Sequence, residues 1–511
     1  MMQKRNREQG CTARSAHHSL RRMLEMIGRF GRSVRRRGVY SIGLAACLLL
    51  MGCSTPGFLS ESESKLGIGR TAYLGTALSA YHTALLEPAG LALRFPGYVI
   101  GVEKIQSDAG RERTVTHVVR YQAPGSGADG HSPRPCVLMA RLQPSPMEKS
   151  HLTALDDPSD MGLYDVCPDW NDTAYSAEMI RRVLEQDMRV GNYTHVLLIV
   201  MGWNTQQEKA IRNYNAIVTN LAVEAQNRTT KGQRFKPLVI GVSWPSQWDL
   251  DSEWSFIPAA VVRSASFFTK KEQAEEIGQK ILIPLIEQAI LPARARAGKQ
   301  TETALVMIGH SFGARAMVAG LQEPHTPPAV PEEAFQEGDR LVLLQGAVQL
   351  HEMFEPGEGA TKRALVPRLQ NTPLRVVMTA SVHDTAVHAA FWGWYTGDEQ
   401  TYRAACGERD ADGTVAPTPA YFRGLDLSGF GCQHAIRPGA WGLGLCQTTF
   451  PPGPPHEPSR PMNGARIRYW NASWMINCAS HLSGGGAHSD IYRREFARFL
   501  LQEIGFPSGP P

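Results

Sequence analysis

The stretch of the chain best suited to chemistry is TALVMIGHSFGAR, residues 303–315. Five apolar residues rise to Gly309. His310 and Ser311 follow, and Phe312, Gly313, Ala314 and Arg315 open a helical pattern. Residues 309–313 fit G-x-S-x-G, the pattern of a serine held on a sharp strand-to-helix turn so that its hydroxyl stands clear as a nucleophile. With 48 glycines among 511 residues the bare pattern is weak. It gains weight from a buried-type strand directly before it and a helix directly after it, and it occurs once. The glycines are needed for a physical reason. The serine takes a strained backbone conformation, and the positions two before and two after must lack bulk if strand and helix are to approach closely. Such a serine needs a base to take its proton and an acid to orient that base. The plainer reading is an ordinary strand-to-helix turn that contains a serine.

The surrounding elements must position that chemistry. Unbroken apolar runs read as strands at 194–204, 237–246, 303–311, 340–348, 374–384 and 473–480. Helical periods run over 174–190, 208–227, 270–296, 312–322 and 490–505. Unbroken apolar strands alternating with helices predict an α/β fold, a doubly wound and mostly parallel sheet covered on both faces. Upstream, 114–122 alternates like a strand and 136–143 reads as its hairpin partner, with helical spacing over 71–94. GSGADG at 125–130 fits a dinucleotide fingerprint literally, but it runs into His-Ser-Pro-Arg-Pro, which cannot open the helix such a site requires; a hairpin loop is expected there. Residues 391–470 are rich in Gly, Pro, Trp and Cys without a clear period, and read as an insertion before the last strand.

With these elements in place the sequence resembles the α/β-hydrolase superfamily. More narrowly it resembles a bacterial group with H-G-[WYF]-N after strand three and W-P-S after strand four, which read here Met201-Gly202-Trp203-Asn204 and Trp244-Pro245-Ser246. The resemblance covers roughly 190–390 and 470–505. It implies a Ser, acid, His order along the chain. Asp384, in SVHDTAV after a late strand, fits the acid, with Glu352 as the alternative. His488, between the last strand and the last helix and behind Gly484 to Gly486, fits the base, with His481 as the alternative. His310 is expected to pack, and His383 and His388 to be incidental. The resemblance also implies an oxyanion hole from the backbone N–H groups of Phe312 and Trp203. Met201 departs from the family's histidine in the loop that carries the second donor. The implied activity is that of a serine hydrolase, carboxylesterase- or lipase-like, with Ser311, Asp384 and His488 as catalytic residues and an acyl-enzyme intermediate. It calls for no metal or organic cofactor. Trp254, Phe256, Ile257, Phe267 and Phe268 either form an apolar lid or acyl pocket or pack on a helix. The competing reading is a non-catalytic envelope protein that binds a partner on the same scaffold.

The net charge of +5 does not point to nucleic acid. Residues 1–52 hold eleven Lys or Arg and two Glu, a balance of +9 that leaves −4 on the rest. Arg35-Arg36-Arg37 precede GVYSIGLAACLLLMGC, a basic segment, an apolar run too short for a comfortable membrane span and small residues, as in a secretory signal. Its end, Leu50-Met51-Gly52-Cys53, resembles the bacterial lipobox, which implies lipidation of Cys53, and Ser54 behind it an outer membrane anchor facing the periplasm. The expected organisation is a signal peptide at 1–52, a tether at 53–70, an N-terminal extension with a β-hairpin at 71–170, and a hydrolase domain at 171–511 containing the 391–470 insertion. Six cysteines then remain, Cys136, Cys167, Cys406, Cys432, Cys446 and Cys478. An even count in an oxidising compartment permits three disulfides in any of fifteen pairings.

Overall fold

The computed structural model describes residues 93–107, 110–121, 136–140, 167, 175–203, 205, 207–228, 234–246, 270–298, 303–322, 335–354, 365–370, 372–387, 394–408, 425, 427, 430–435, 464–476 and 487–506. They belong to one compact unit, Ser62–Trp248 with Ser266–Pro511. The expected signal, Cys53, tether, GSGADG loop and apolar residues 254–268 lie outside the described residues, as do Asn204, His388, His481, Cys446 and Cys478.

The strands are β1 (Gly97–Ser107), β2 (Gly110–Tyr121), β3 (Cys136–Ala140), β4 (His195–Val200), β5 (Pro237–Ser243), β6 (Ala304–His310), β7 (Arg340–Leu344), β8 (Arg375–Ala380), β9 (Phe430–His434) and β10 (Ile467–Asn471). They form a ten-stranded sheet in the order β3-β2-β1-β5-β4-β6-β7-β8-β10-β9. Pairing is antiparallel only at β3-β2 and β2-β1 and parallel at every other edge. The helices are α1 (Ala177–Gly191), α2 (Gln207–Arg228), α3 (a helical run over 270–296 with π-helical stretches Gly278–Leu282 and Leu285–Ile290), α4 (Phe312–Leu321), α5 (Leu365–Gln370), α6 (Glu399–Cys406) and α7 (Arg494–Glu503).

The period of two decides which side each strand residue serves. In β4, Val196, Leu198 and Val200 join an apolar cluster with α1, α3 and α4, while Leu197 and Ile199 join a second cluster with α2 and α7. Both faces are therefore covered, which is why the central strands are apolar without interruption. Helix α1 shows the ordinary amphipathic logic. It buries Met179, Ile180, Val183, Leu184 and Met188, Ser176 caps its first turn by accepting from the Met179 N–H at 3.0 Å, and Asn192 ends it at φ 45°. Helix α4 is different: every one of its residues is buried, as expected of a helix that is apolar nearly all round.

Three sequence expectations need correction. Among the described residues the last strand of the sheet is Ile467–Asn471, and residues 473–475, expected to open that strand, form a turn. The 391–470 segment is not simply an insertion before the last strand, because it supplies β9, α6 and most of β10. Trp470 and Tyr469 pack on opposite faces of β10, so the burial pattern there is that of a core strand, obscured in the sequence by the Gly- and Pro-rich runs that precede it. The expected N-terminal hairpin is present as the antiparallel β2–β3 pair, but it does not stand apart from the sheet: β1, which sequence reading passed over, pairs in parallel with β5 and joins β2 and β3 to it. Two disulfides are formed among the described residues, Cys136–Cys167 and Cys406–Cys432.

Candidate active site

Ser311 stands between β6 and α4 at φ 56°, ψ −121°, a conformation that L residues rarely adopt. Neighbouring backbone imposes it. The Ser311 N–H donates to the Leu344 carbonyl at 3.0 Å, and the Ser311 carbonyl accepts from the Ala347 N–H at 3.1 Å. The hydroxyl does not cap the helix that follows. The two flanking glycines answer to contacts across the turn. A Cβ on Gly313 would lie 2.0 Å from the Val200 carbonyl oxygen, and one on Gly309 2.5 Å from the Ala314 Cα. Gly202, from the loop after β4, is pressed against the same turn, where a Cβ would meet the Ser311 Cβ at 2.4 Å.

Asp384 lies four residues beyond the end of β8 and is fully buried. His488 precedes α7, its side chain 12% exposed, and its Nδ1 is 2.7 Å from Asp384 Oδ2. The two loops are joined one residue earlier in each, where the Ala487 N–H donates to the His383 carbonyl at 2.8 Å. The Asp384 loop is itself held by the segment after β10: the Ser381 hydroxyl donates to the Ile476 carbonyl, and the Val382 N–H to the Ser473 hydroxyl. Asp384 Oδ1 accepts from the Ala386 N–H at 3.0 Å. Against an ionised carboxylate the imidazole carries its proton on Nδ1, which leaves Nε2 as the basic nitrogen.

His310 ties the base to the nucleophile's turn. Its ring lies 4.7 Å, centroid to centroid, from the His488 ring, and its Nε2 is 2.8 Å from the His488 carbonyl oxygen. A carbonyl can only accept, so this bond puts the His310 proton on Nε2. Burial and then the neighbouring His488 hold the His310 pKa down to about 3, so it is neutral at ordinary pH. The expected packing role holds, and its object is the loop that carries His488.

Glu352, the alternative acid, is engaged elsewhere. It lies in the 3₁₀ turn Leu350–Met353 and pairs with Arg315 at 2.9 Å and with Lys271 at 3.3 Å. Burial alone would push its carboxyl up, but these two cations outweigh burial and hold it down to about 2.

The loop after β4 is gripped by the segment after β5, which gives the two sequence motifs a common physical basis. Trp244 Nε1 donates to the Met201 carbonyl at 2.9 Å. Ser246 Oγ accepts from the Thr205 N–H at 2.9 Å and donates to the Thr205 carbonyl at 2.8 Å. Behind them the buried Lys270 Nζ donates to the Pro245 carbonyl at 2.8 Å. Met201 itself is buried in the apolar cluster beside α2, where a thioether packs without a polar partner. Trp203 is half-buried in the gripped loop. Phe312 is the first residue of α4.

One residue of the site carries no sequence motif. Gln345, directly after β7, is fully buried at φ 46°. Its Nε2 donates to Asp384 Oδ2 at 2.9 Å, and its Oε1 accepts from the Thr379 hydroxyl at 2.9 Å. A glutamine behind an apolar strand offers no signal that could have marked it in advance.

Taken together, the described residues form an α/β protein in which the Asp384–His488 pair, beyond the ends of β8 and β10, touches His310, the residue before Ser311 at the end of β6. Comparison with family models, with curated proteins and with solved structures finds no match for the chain.

Proposed function

We propose that this chain is a serine hydrolase of α/β-hydrolase type that cleaves ester-type substrates, lipid or acyl esters among them. The observation that carries the reading is the hydrogen-bonded Asp384–His488 pair, whose imidazole lies 4.7 Å, ring to ring, from His310, the residue that precedes Ser311 at φ 56°. The chain order Ser, Asp, His agrees with it. Met201, whose departure from the family's histidine favours a non-catalytic scaffold, is buried in an apolar cluster, and its carbonyl accepts from Trp244.

The chemistry follows from the groups in place. The Ser311 hydroxyl attacks the carbonyl carbon and passes its proton to His488 Nε2. Asp384 fixes the tautomer and stabilises the imidazolium. The oxyanion is met by the N–H groups of Phe312 and Trp203, the former at the positive end of a helix. The proton on His488 goes to the leaving alkoxide, and water, activated by the same imidazole, releases the acid from the acyl-enzyme.

The decisive test is covalent labelling with a fluorophosphonate probe. Wild type labels and Ser311→Ala does not. A folded wild type that remains unlabelled would overturn the reading in favour of an envelope protein that only binds.

The leader supports placement in a bacterial envelope, lipid-anchored through Cys53 at the outer membrane and facing the periplasm. Mass spectrometry of the mature N-terminus checks this, with an acylated Cys53 expected. The acidic body of the chain speaks against nucleic acid as a partner.

A further inference from the structure

The backbone bonds that hold Ser311 and the side-chain bond that holds Asp384 come from one short strap, residues 344–347. Leu344 accepts from the Ser311 N–H, and Ala347 donates to the Ser311 carbonyl. Between them Gln345 donates to the oxygen of Asp384 that faces His488 Nδ1. Three features make this a built arrangement and not simply a satisfied buried amide. First, the amide is oriented: the Thr379 hydroxyl, donating to Gln345 Oε1, leaves the NH₂ group for Asp384, and the same hydroxyl accepts from the Gln345 N–H at 3.2 Å. Second, Gln345 sits at φ 46°, a conformation that costs free energy for a residue with a side chain. Third, the strap is clamped from outside, since Gly397 donates to the Gly346 carbonyl at 3.0 Å and a Cβ on Gly397 would lie 2.6 Å from the Gln345 carbonyl carbon. A strained residue held at such a junction points to function more than to stability.

We infer that Gln345 is a positioning residue that couples the triad's acid to its nucleophile: its amide aims the Asp384 carboxylate at His488 while the main chain on either side of it bends Ser311 into place. The inference rests on the serine hydrolase reading. Gln345 touches no substrate atom in this role; it acts through Asp384. By donating to Oδ2 it also draws charge from the oxygen that accepts from His488, which sets how strongly the carboxylate supports the imidazolium.

The test follows probe labelling rate against pH in wild type, Gln345→Ala and Gln345→Glu, with Ser311→Ala as the blank and thermal melting as the check on folding. The ionisable groups in reach are His488, His310 tilted against it, His383 beside Asp384, and Lys209, which acts on His310. Gln345→Ala is expected to lower the labelling rate about 10- to 100-fold while the protein still melts cooperatively, as expected when a hydrogen bond to a charged group is lost. Gln345→Glu keeps the shape and sets a second carboxylate against Asp384. Two such groups cannot both ionise cheaply, so they share a proton at low pH. As that proton leaves, the added negative charge stabilises the imidazolium, and the pH midpoint of labelling moves upward relative to wild type. A wild-type rate in Gln345→Ala overturns the inference and leaves the hydrolase reading standing. If the alanine variant does not fold, an unmoved midpoint in Gln345→Glu overturns it. An unlabelled wild type sinks both.

Discussion

At the scale of single residues, the competition between Asp384 and Glu352 turns on their partners. Asp384 faces an imidazole, an amide and one backbone N–H. Glu352 faces two cations that keep it ionised far below neutral pH. A carboxylate so neutralised has little left to offer a histidine. Asp384→Asn is therefore expected to cut probe labelling by about three to four orders of magnitude, because the amide favours the wrong imidazole tautomer. Glu352→Gln should leave labelling within a few-fold of wild type and lower stability by about 1–3 kcal/mol, since Arg315 and Lys271 lose a charged acceptor. Labelling rates and urea midpoints for the pair of variants distinguish the two roles. Ser311 is legible in the sequence as a glycine-flanked strand-to-helix turn, and Asp384 and His488 are legible through the Ser, acid, His order that the resemblance implies. Gln345 is not, because its part depends on a strap that meets Asp384 across a gap of 39 residues.

At the scale of elements, the loop after β4 and the segment after β5 act as one unit. Gly202 presses on Ser311, and the loop that contains it is held by Trp244 and Ser246. The parallel β4–β5 pairing, with Val200 opposite Val242, brings the two strand ends level, so that two motifs far apart in the chain become neighbours. Ser246 spans both the N–H and the carbonyl of Thr205. Ser246→Ala removes both bonds and frees the loop that carries Trp203. The expected result is a loss of about tenfold in labelling rate, short of the roughly 10²–10³ that losing an oxyanion donor outright costs. The same variant should retain its far-ultraviolet circular dichroism, and an unchanged rate would show that the loop needs no such grip.

At the scale of the whole molecule, two buried histidines make folding sensitive to mild acid. His195 lies among Phe235 and Phe506, and burial holds its pKa down to about 4. His310 is held down to about 3. Both values lie below the ordinary imidazole value of about 6.5. The unfolded chain then binds these protons more readily than the folded one, so stability is full above about pH 6.5 and falls as pH drops toward 4 and 3. At about pH 5 each histidine costs about 2 kcal/mol relative to about pH 7. Urea midpoints at the two pH values should show this, and His195→Phe, which fits the aromatic cluster, should reduce the difference by roughly half. The disulfides act at the same scale. Cys406–Cys432 spans a sequence separation of 26 and fastens α6 to the edge strand β9. Its removal by paired Cys→Ala substitution is expected to cost about 3 kcal/mol of unfolding free energy, through the larger entropy of the unlinked unfolded chain.

The sequence by itself determined the layered α/β architecture and marked out the turn at Ser311 and the loops of Asp384 and His488. The architecture and the turn follow from local periodicity and turn chemistry, which are written in neighbouring residues, and the two loops follow from the superfamily order that the resemblance implies. The tertiary structure alone decided that β1 and β9 join the sheet, that β10 and not 473–480 is the strand beside β8, which of the described cysteines pair, and that the 344–347 strap holds both Ser311 and Asp384. Each of these depends on contacts between segments distant in the chain, where edge pairing, burial and hydrogen-bond geometry choose among partners that local sequence leaves equivalent.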